Sequence, residues 1–230
     1  MDEFWQFPCC WAAIDGCYIP ITCLPCGPEA IKEYHNFKNF YSVVHMGLVD
    51  PHYRFFGGSC GFPGNSHDAV IFRSTNLWNS TQEGFIPAID NAGGGGGILL
   101  SNPLLLETPH SPFVLYRLSR ARMVTGAAYG QLKGRWRVVP RKSESSRDQA
   151  RITTLACTGL HNICIMQGDA VSRKLDLSLD ESGGKRNREE LRKILQMRDC
   201  ASIKDASHEA TKVRHALSEK LWIEKQTGKV

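Results

Sequence analysis

The chain has 230 residues, a net charge of +5 and an apolar fraction of 42%. That is enough for one medium domain with a core, and the mildly basic balance is compatible with a polyanionic partner without demanding one. No run of about 18 apolar residues occurs, which speaks against a membrane span, and the acidic start MDEFWQFPCCW lacks the pattern of a secretory signal. The nine cysteines are odd in number and scattered, so they read as reduced and mostly as small buried hydrophobes rather than as a disulfide framework.

In chain order, residues 12–21 (AAIDGCYIPI) read as a strand broken by a turn at Gly16, and residues 41–49 (YSVVHMGLV) as a second strand. Asp50-Pro51-His52 is a turn, and residues 53–59 return as the next strand of a meander. Gly61, Pro63 and Gly64 end that strand. Asn65-Ser66 then offers a cap for a helix over residues 67–78, with Val70, Ile71, Leu77 and Trp78 on its buried side. The glycine run 93–97 reads as a flexible loop, and residues 98–100 as a short buried strand. Helical character spans 119–137, where Met123, Tyr129 and Leu132 recur at near-helical spacing, weakened by Gly126 and Gly130. The apolar stretch 152–166 reads as a buried helix. Residues 176–188 look like a polar linker, and 188–198 and 207–222 like helices, solvated or docked. This order suggests an α/β sandwich built around a sheet.

Several segments in order carry a resemblance. They are AAIDGCYIPI; YHNFKNFYS from residue 34; PGNSHDAVIFRST from residue 63; the RARMVTGAAYGQLKGRWR run from residue 120; and Leu160-His161-Asn162-Ile163-Cys164, with Gly168-Asp169 beyond. Together they resemble the catalytic domain of Harbinger-type DDE transposases and their domesticated nuclease relatives. The resemblance implies an RNase H-like mixed sheet flanked by helices over residues 7–175, followed by a linker and C-terminal helices over 176–230. It also implies phosphodiester hydrolysis or strand transfer on DNA, driven by Mg²⁺ or Mn²⁺ held on carboxylates.

Mapped residue by residue, Asp15 matches the first acidic ligand of that family, beside its ordinary reading as a turn aspartate before Gly16. Asp68 matches the acid of the His-Asp pair, and equally suits the first turn of a helix. His67 can orient that carboxylate, contact a phosphate, or make a structural hydrogen bond. The third ligand position falls on Asn102, which offers a carbonyl oxygen but no charge, and the last falls on Gly126, which offers nothing. Asp90 and Glu107 are the substitute acids in reach of the alignment. With two of four positions lost, metal binding is expected to be weak or absent and nuclease activity very low.

Arg120, Arg122, Lys133, Arg135, Arg137, Arg141 and Lys142 surround Trp136 as a basic cluster, readable as a phosphate-binding surface or as a solvated helix face. Cys23 and Cys26 form a C-x-x-C pair with no second pair at zinc spacing. The glycine run lacks the Gly-Lys-Ser/Thr of a phosphate loop, and no Gly-x-Ser-x-Gly elbow occurs. The expected partners are DNA and, by resemblance, a Myb/SANT-like DNA-binding protein, with no membrane and a nuclear or cytoplasmic location. Only residues 1–13 precede the first strand, so an upstream recognition module is not expected in this sequence. Three roles follow: a nuclease with rearranged ligands, an inactive DNA- or protein-binding module, or a decaying transposon remnant.

Overall fold

The structure, a computed structural model, describes residues 10–22, 28–82, 97–100, 111–142, 146–196 and 208–227. Its centre is a four-stranded sheet of order β3-β2-β1-β4, made of β1 (Cys10–Pro20), β2 (Ser42–Val49), β3 (Phe55–Pro63) and β4 (Gly97–Leu100). β1, β2 and β3 form an antiparallel meander, and β4 joins parallel to β1. The helices are α1 (Pro28–Tyr34), α2 (Asp68–Arg73), α3 (Asn76–Gln82), α4 (Ser111–Arg135), α5 (Arg147–Met166), α6 (Arg188–Leu195) and α7 (His208–Gln226).

The strands obey period-two burial. On β1, Ala13, Cys17 and Ile19 join a core cluster with Val124, Ala128, Tyr129 and Leu132 of α4 and Cys157 of α5. The alternate residues Ala12, Ile14 and Tyr18 join Val44, Met46, Leu48, Ile71 and Phe72 on the opposite face. Leu191, Leu195 and Leu221 belong to the first cluster, so α6 and α7 are docked on α4 rather than solvated. The expected linker after residue 175 is itself packed there: Leu177 N–H donates to the Gly130 carbonyl, and a methyl at position 130 would meet Ser178 N at 2.7 Å.

Several sequence expectations are corrected. β1 runs unbroken through Gly16, which pairs with Met46 inside a regular ladder. β3 continues through Gly61, in a positive-φ conformation of 113°, to Pro63. The single helix expected over 67–78 is two, separated at Ser74-Thr75, where both hydroxyls bond back to the carbonyls of Ile71 and Phe72. Its cap is His67, without a side-chain cap bond, and Val70 is exposed. The helix over 152–166 begins earlier and buries only one side. The run 93–96, with Asp90, Asn102, Glu107, Cys23 and Cys26, lies outside the described residues. Among the described free cysteines, Cys17, Cys60 and Cys157 are buried and Cys164 is half-buried.

Candidate functional site

Much of the motif sequence forms scaffold around the loop that delivers Asp68. Asn36 Nδ2 donates to Ser42 Oγ at 2.7 Å, and its Oδ1 accepts from Lys38 N at 2.9 Å, closing the turn before β2. Gly64 sits directly on that turn: a methyl there would lie 2.5 Å from Ser42 Oγ and 2.7 Å from the Tyr34 carbonyl. Asn65 N donates to the Glu33 carbonyl at 3.0 Å. The loop therefore leaves β3 along a fixed path, and Asp68 opens α2 in its first turn, where a negative charge suits the helix dipole.

The Leu-His-Asn motif on α5 is scaffold too. The Asn162 side chain accepts from Phe55 N at 2.8 Å and donates to Phe55 O at 2.7 Å, satisfying the backbone of an edge strand as a neighbouring strand would. His161 Nε2 lies 3.1 Å from the Tyr53 carbonyl.

Asp15 is buried, 4% exposed, at the middle of β1 opposite Gly47. By strand alternation it shares its face with Ala13 and Cys17, the face that α4 covers. One of its oxygens accepts the Gly16 N–H at 2.9 Å. Gly47 leaves the room above the pair for Tyr129: a methyl at 47 would lie 2.6 Å from the Tyr129 hydroxyl and 2.9 Å from the Phe55 ring. The Tyr129 hydroxyl donates to the His45 carbonyl at 2.9 Å, stands 3.2 Å from His45 Nδ1, and is 3.5 Å from the Asp15 carbonyl. Burial holds this phenol well above its ordinary pKa, with Cys17, Asp15, Cys60 and Asp68 raising it further.

His45 is completely buried, with Nε2 lacking a hydrogen-bond partner. Burial, and then the Lys133 charge, lower its pKa to about 4. The imidazole is therefore neutral at physiological pH. A proton on Nδ1, donated to the Tyr129 oxygen, accommodates both groups and leaves Nε2 bare against Gly58.

Gly126, Tyr129 and Lys133 follow at spacings of three and four, so they share one face of α4. Tyr129 reaches the Asp15 carbonyl and Lys133 the Tyr18 carbonyl. Gly126, one turn before Tyr129 on that face, is buried and carries no side chain.

The basic cluster does not survive as one surface. Lys133 is 2% exposed, and its ammonium donates to the Tyr18 carbonyl at 2.9 Å and the Leu195 carbonyl at 2.7 Å. It is an internal tie between β1 and the end of α6, withdrawn from phosphate contact. Arg135 is half-buried and bonds Asp169 through both the carboxylate and the carbonyl, each at 2.5 Å. Arg137, Arg141 and Lys142 are exposed, and Arg122 is carried on α4 upstream.

A pair of hard cations needs several converging carboxylate oxygens. Of the four positions matched in the sequence, two carry acids, Asp15 and Asp68, while Gly126 offers no side chain and Asn102 no charge. Among the described residues no group of three or more His, Cys, Asp or Glu side chains is placed to hold a metal ion. The donors among the described residues do not by themselves make a two-metal centre.

Sequence reasoning noted His45 only as a histidine near the C-x-x-C pair, without this role, and took Tyr129 only as a marker of helical spacing. The signal that could have found them is Gly47, the one glycine in a strand otherwise rich in large residues, which marks a ring lying on the sheet.

These features define a mixed α/β domain, with an antiparallel meander at its centre and a buried aspartate on its first strand. No protein-family model matches the chain, and no solved structure matches it. It is 28% identical over 204 residues to the Arabidopsis thaliana protein named Antagonist of Like Heterochromatin Protein 1, a match covering 80% of this chain and 50% of that protein. The relation is distant, and the chain spans about half the length of this curated relative. Among the described residues no helix is long and apolar enough to cross a membrane.

Proposed function

We propose that the chain is a transposase-derived, RNase H-like domain of the Harbinger type in which phosphodiester cleavage is impaired and binding is the remaining activity. The strand order β3-β2-β1-β4, with β4 parallel to β1, supports the fold reading. The observation that carries the functional reading is Gly126, on the face of α4 shared with Tyr129 and Lys133, where the family's chemistry needs an acid. Asp15 and Asp68 remain as relics of the ligand set, with Mg²⁺ or Mn²⁺ held weakly or not at all.

A supercoiled-plasmid nicking assay tests this. The natural chain is expected to leave DNA intact with either ion, whereas Gly126→Glu combined with Asn102→Asp restores the acids and is expected to raise cleavage. Robust cleavage by the natural chain, lost on Asp15→Ala, overturns the reading.

DNA is the first binding partner proposed, through Arg122, Arg137 and the exposed Arg141 and Lys142. Its affinity should fall steeply with salt, and Arg137→Glu with Arg141→Glu should weaken it at low salt. The relative's name, which makes that protein an antagonist of a heterochromatin protein, favours a second reading: a nuclear module that binds chromatin proteins, with a Myb/SANT-like protein as the partner implied by the motifs. Pull-down with and without nuclease treatment separates direct protein contact from contact bridged by DNA.

A further inference from the structure

One face of α5 is largely apolar and exposed, with no described residue covering it. Ile152, Ala156, Gly159, Ile163 and Met166 follow at spacings of four, three, four and three, and Leu160 flanks them. Ile152 is 54% exposed, Leu160 45%, Ile163 55% and Met166 69%. The buried residues of the same helix, Ala150, Thr154, Cys157, Thr158 and His161, lie on the opposite side. The chain itself packs the side of Ala150, Cys157, the two threonines and His161, while the larger apolar side chains stand on the other side, where a second partner would bury them.

We infer that the second partner is the same face of another copy of this chain, packed antiparallel about a twofold axis at Gly159. The stripe is symmetric about that residue: Ile152 stands seven residues before it and Met166 seven after, so a twofold sets Ile152 of each copy against Met166 of the other. At the axis the side chain is absent, and a methyl added at 159 would meet no atom within 4 Å. Two backbones can approach closely there while the larger residues interlock on either side.

Charge selects the antiparallel arrangement. Arg147 and Arg151, with Asp148 paired to Arg147, leave a net positive charge near the N-terminal end, and Asp169, paired with Arg135 and with a side chain 59% exposed, lies just beyond the C-terminal end. Antiparallel pairing sets these arginines near the partner's aspartate and the negative end of its helix dipole. Parallel pairing would set Arg147 against Arg147. The helix has 20 residues, about 30 Å in length. A contact confined to it would bury about 1,000 Å² in total, at the small end of specific interfaces, so the association is reversible and concentration-dependent.

Sedimentation equilibrium on the full chain over a hundredfold concentration range tests the inference. The natural chain is expected to pass from one to two protomers in mass. Gly159→Glu and Gly159→Lys should each weaken association at least tenfold while keeping an unfolding midpoint no lower than that of the natural chain, because the position is open and glycine is a poor helix former. Mixed one to one, the two variants should re-associate, since the axis sets residue 159 against itself. If either variant folds poorly, Ile152→Lys and Met166→Glu provide the same complementation across the interface. A natural chain monomeric throughout, a dimer indifferent to Gly159→Glu, or a mixture that stays monomeric overturns the inference.

Discussion

On the face of the sheet covered by α2 and α3, Ile14, Val44, Met46 and Leu48 meet Ile71 and Phe72, with Tyr18 in edge-to-face contact with Phe37 and Phe40. On the face covered by α4, the same two strands contribute Asp15 and His45, and the helix answers with Tyr129 and Lys133. One side is held by non-directional apolar burial, proportional to area. The other adds to its own apolar core a set of polar groups that each need a specific partner at a specific distance, because an unpaired buried donor or acceptor costs about 1–3 kcal/mol. Damage on the first side should therefore scale with volume lost. Damage on the second should scale with partners lost, and should appear in pH dependence and in local opening.

The largest expected effect comes from filling the space that Tyr129 needs. Gly47→Val would drive side-chain atoms into the Tyr129 hydroxyl and the Phe55 ring, already 2.6 and 2.9 Å from a methyl there. Overpacking plus displaced hydrogen bonds should cost about 4 kcal/mol. Gly57→Ala is the control, because a methyl at 57 meets nothing within 4 Å, and it should shift stability by less than about 1 kcal/mol. Urea denaturation of both decides the matter. Equal losses would mean that glycine's backbone freedom, rather than the room it leaves for Tyr129, is what position 47 requires.

Next in size is Lys133→Met. It preserves the stem but abandons the Tyr18 and Leu195 carbonyls, with relief from burying a charge offsetting part of the loss. A net cost of about 3 kcal/mol is expected, together with loss of hydrogen-exchange protection across residues 188–196. Arg135→Met removes a partly exposed pair with Asp169 and should cost less than about 1 kcal/mol. Similar exchange behaviour in the two variants would remove the distinction between the internal tie and the surface pair.

The contrast between the two faces also explains what could be read in the sequence. The meander was legible because residues 42–49 alternate between two buried faces and are bounded by Asp50, whose carboxylate accepts the N–H groups of His52 and Arg54 at 2.8 Å each. The turn expected at Gly16 failed because the ladder on either side outweighs glycine's local freedom. Asp15 and Cys17, paired with Gly47 and His45, hold Gly16 extended between them, and its partner Met46 packs on the aliphatic face. Lys133 was misread for a related reason: nothing local separates a buried lysine from the solvated arginines around it, and only the arrival of Tyr18 and Leu195 does. The stretch 152–166 read as buried because of its apolar residues, yet Ile152, Leu160, Ile163 and Met166 stand on the exposed side of the helix and the chain covers the other. That positions 102 and 126 carry Asn and Gly rather than acids needed no fold to be seen, only the surrounding motif. The burial of Gly126 did need one.

A third effect separates the faces through protons. His45 keeps a native pKa of about 4, whereas an unfolded histidine titrates near 6.5. Between those values the unfolded chain binds the proton and the native one does not, so this contribution is fully present above about pH 6.5 and is lost as pH falls toward 4. The loss is up to about 3 kcal/mol. His161, whose pKa is also lowered by burial, adds in the same direction. Unfolding free energy measured between pH 7 and 4 should therefore fall, and His45→Gln should remove close to one proton from the slope. An unchanged slope in that variant would mean that some other group carries the linkage.

The smallest effect belongs to the aliphatic face. Ile71 is 1% exposed among Ile14, Val44, Met46 and Phe72 in its cluster. Ile71→Val removes one methylene and should cost about 1 kcal/mol, the same at pH 7 as at pH 5.5. Because no titrating partner lies in that cluster, its denaturation curves at the two pH values should shift in parallel with those of the natural chain. If the cost instead changes with pH, the two faces are coupled through β1 and β2. A single strand pair would then be passing the protonation of His45 to a side of the sheet that it does not touch.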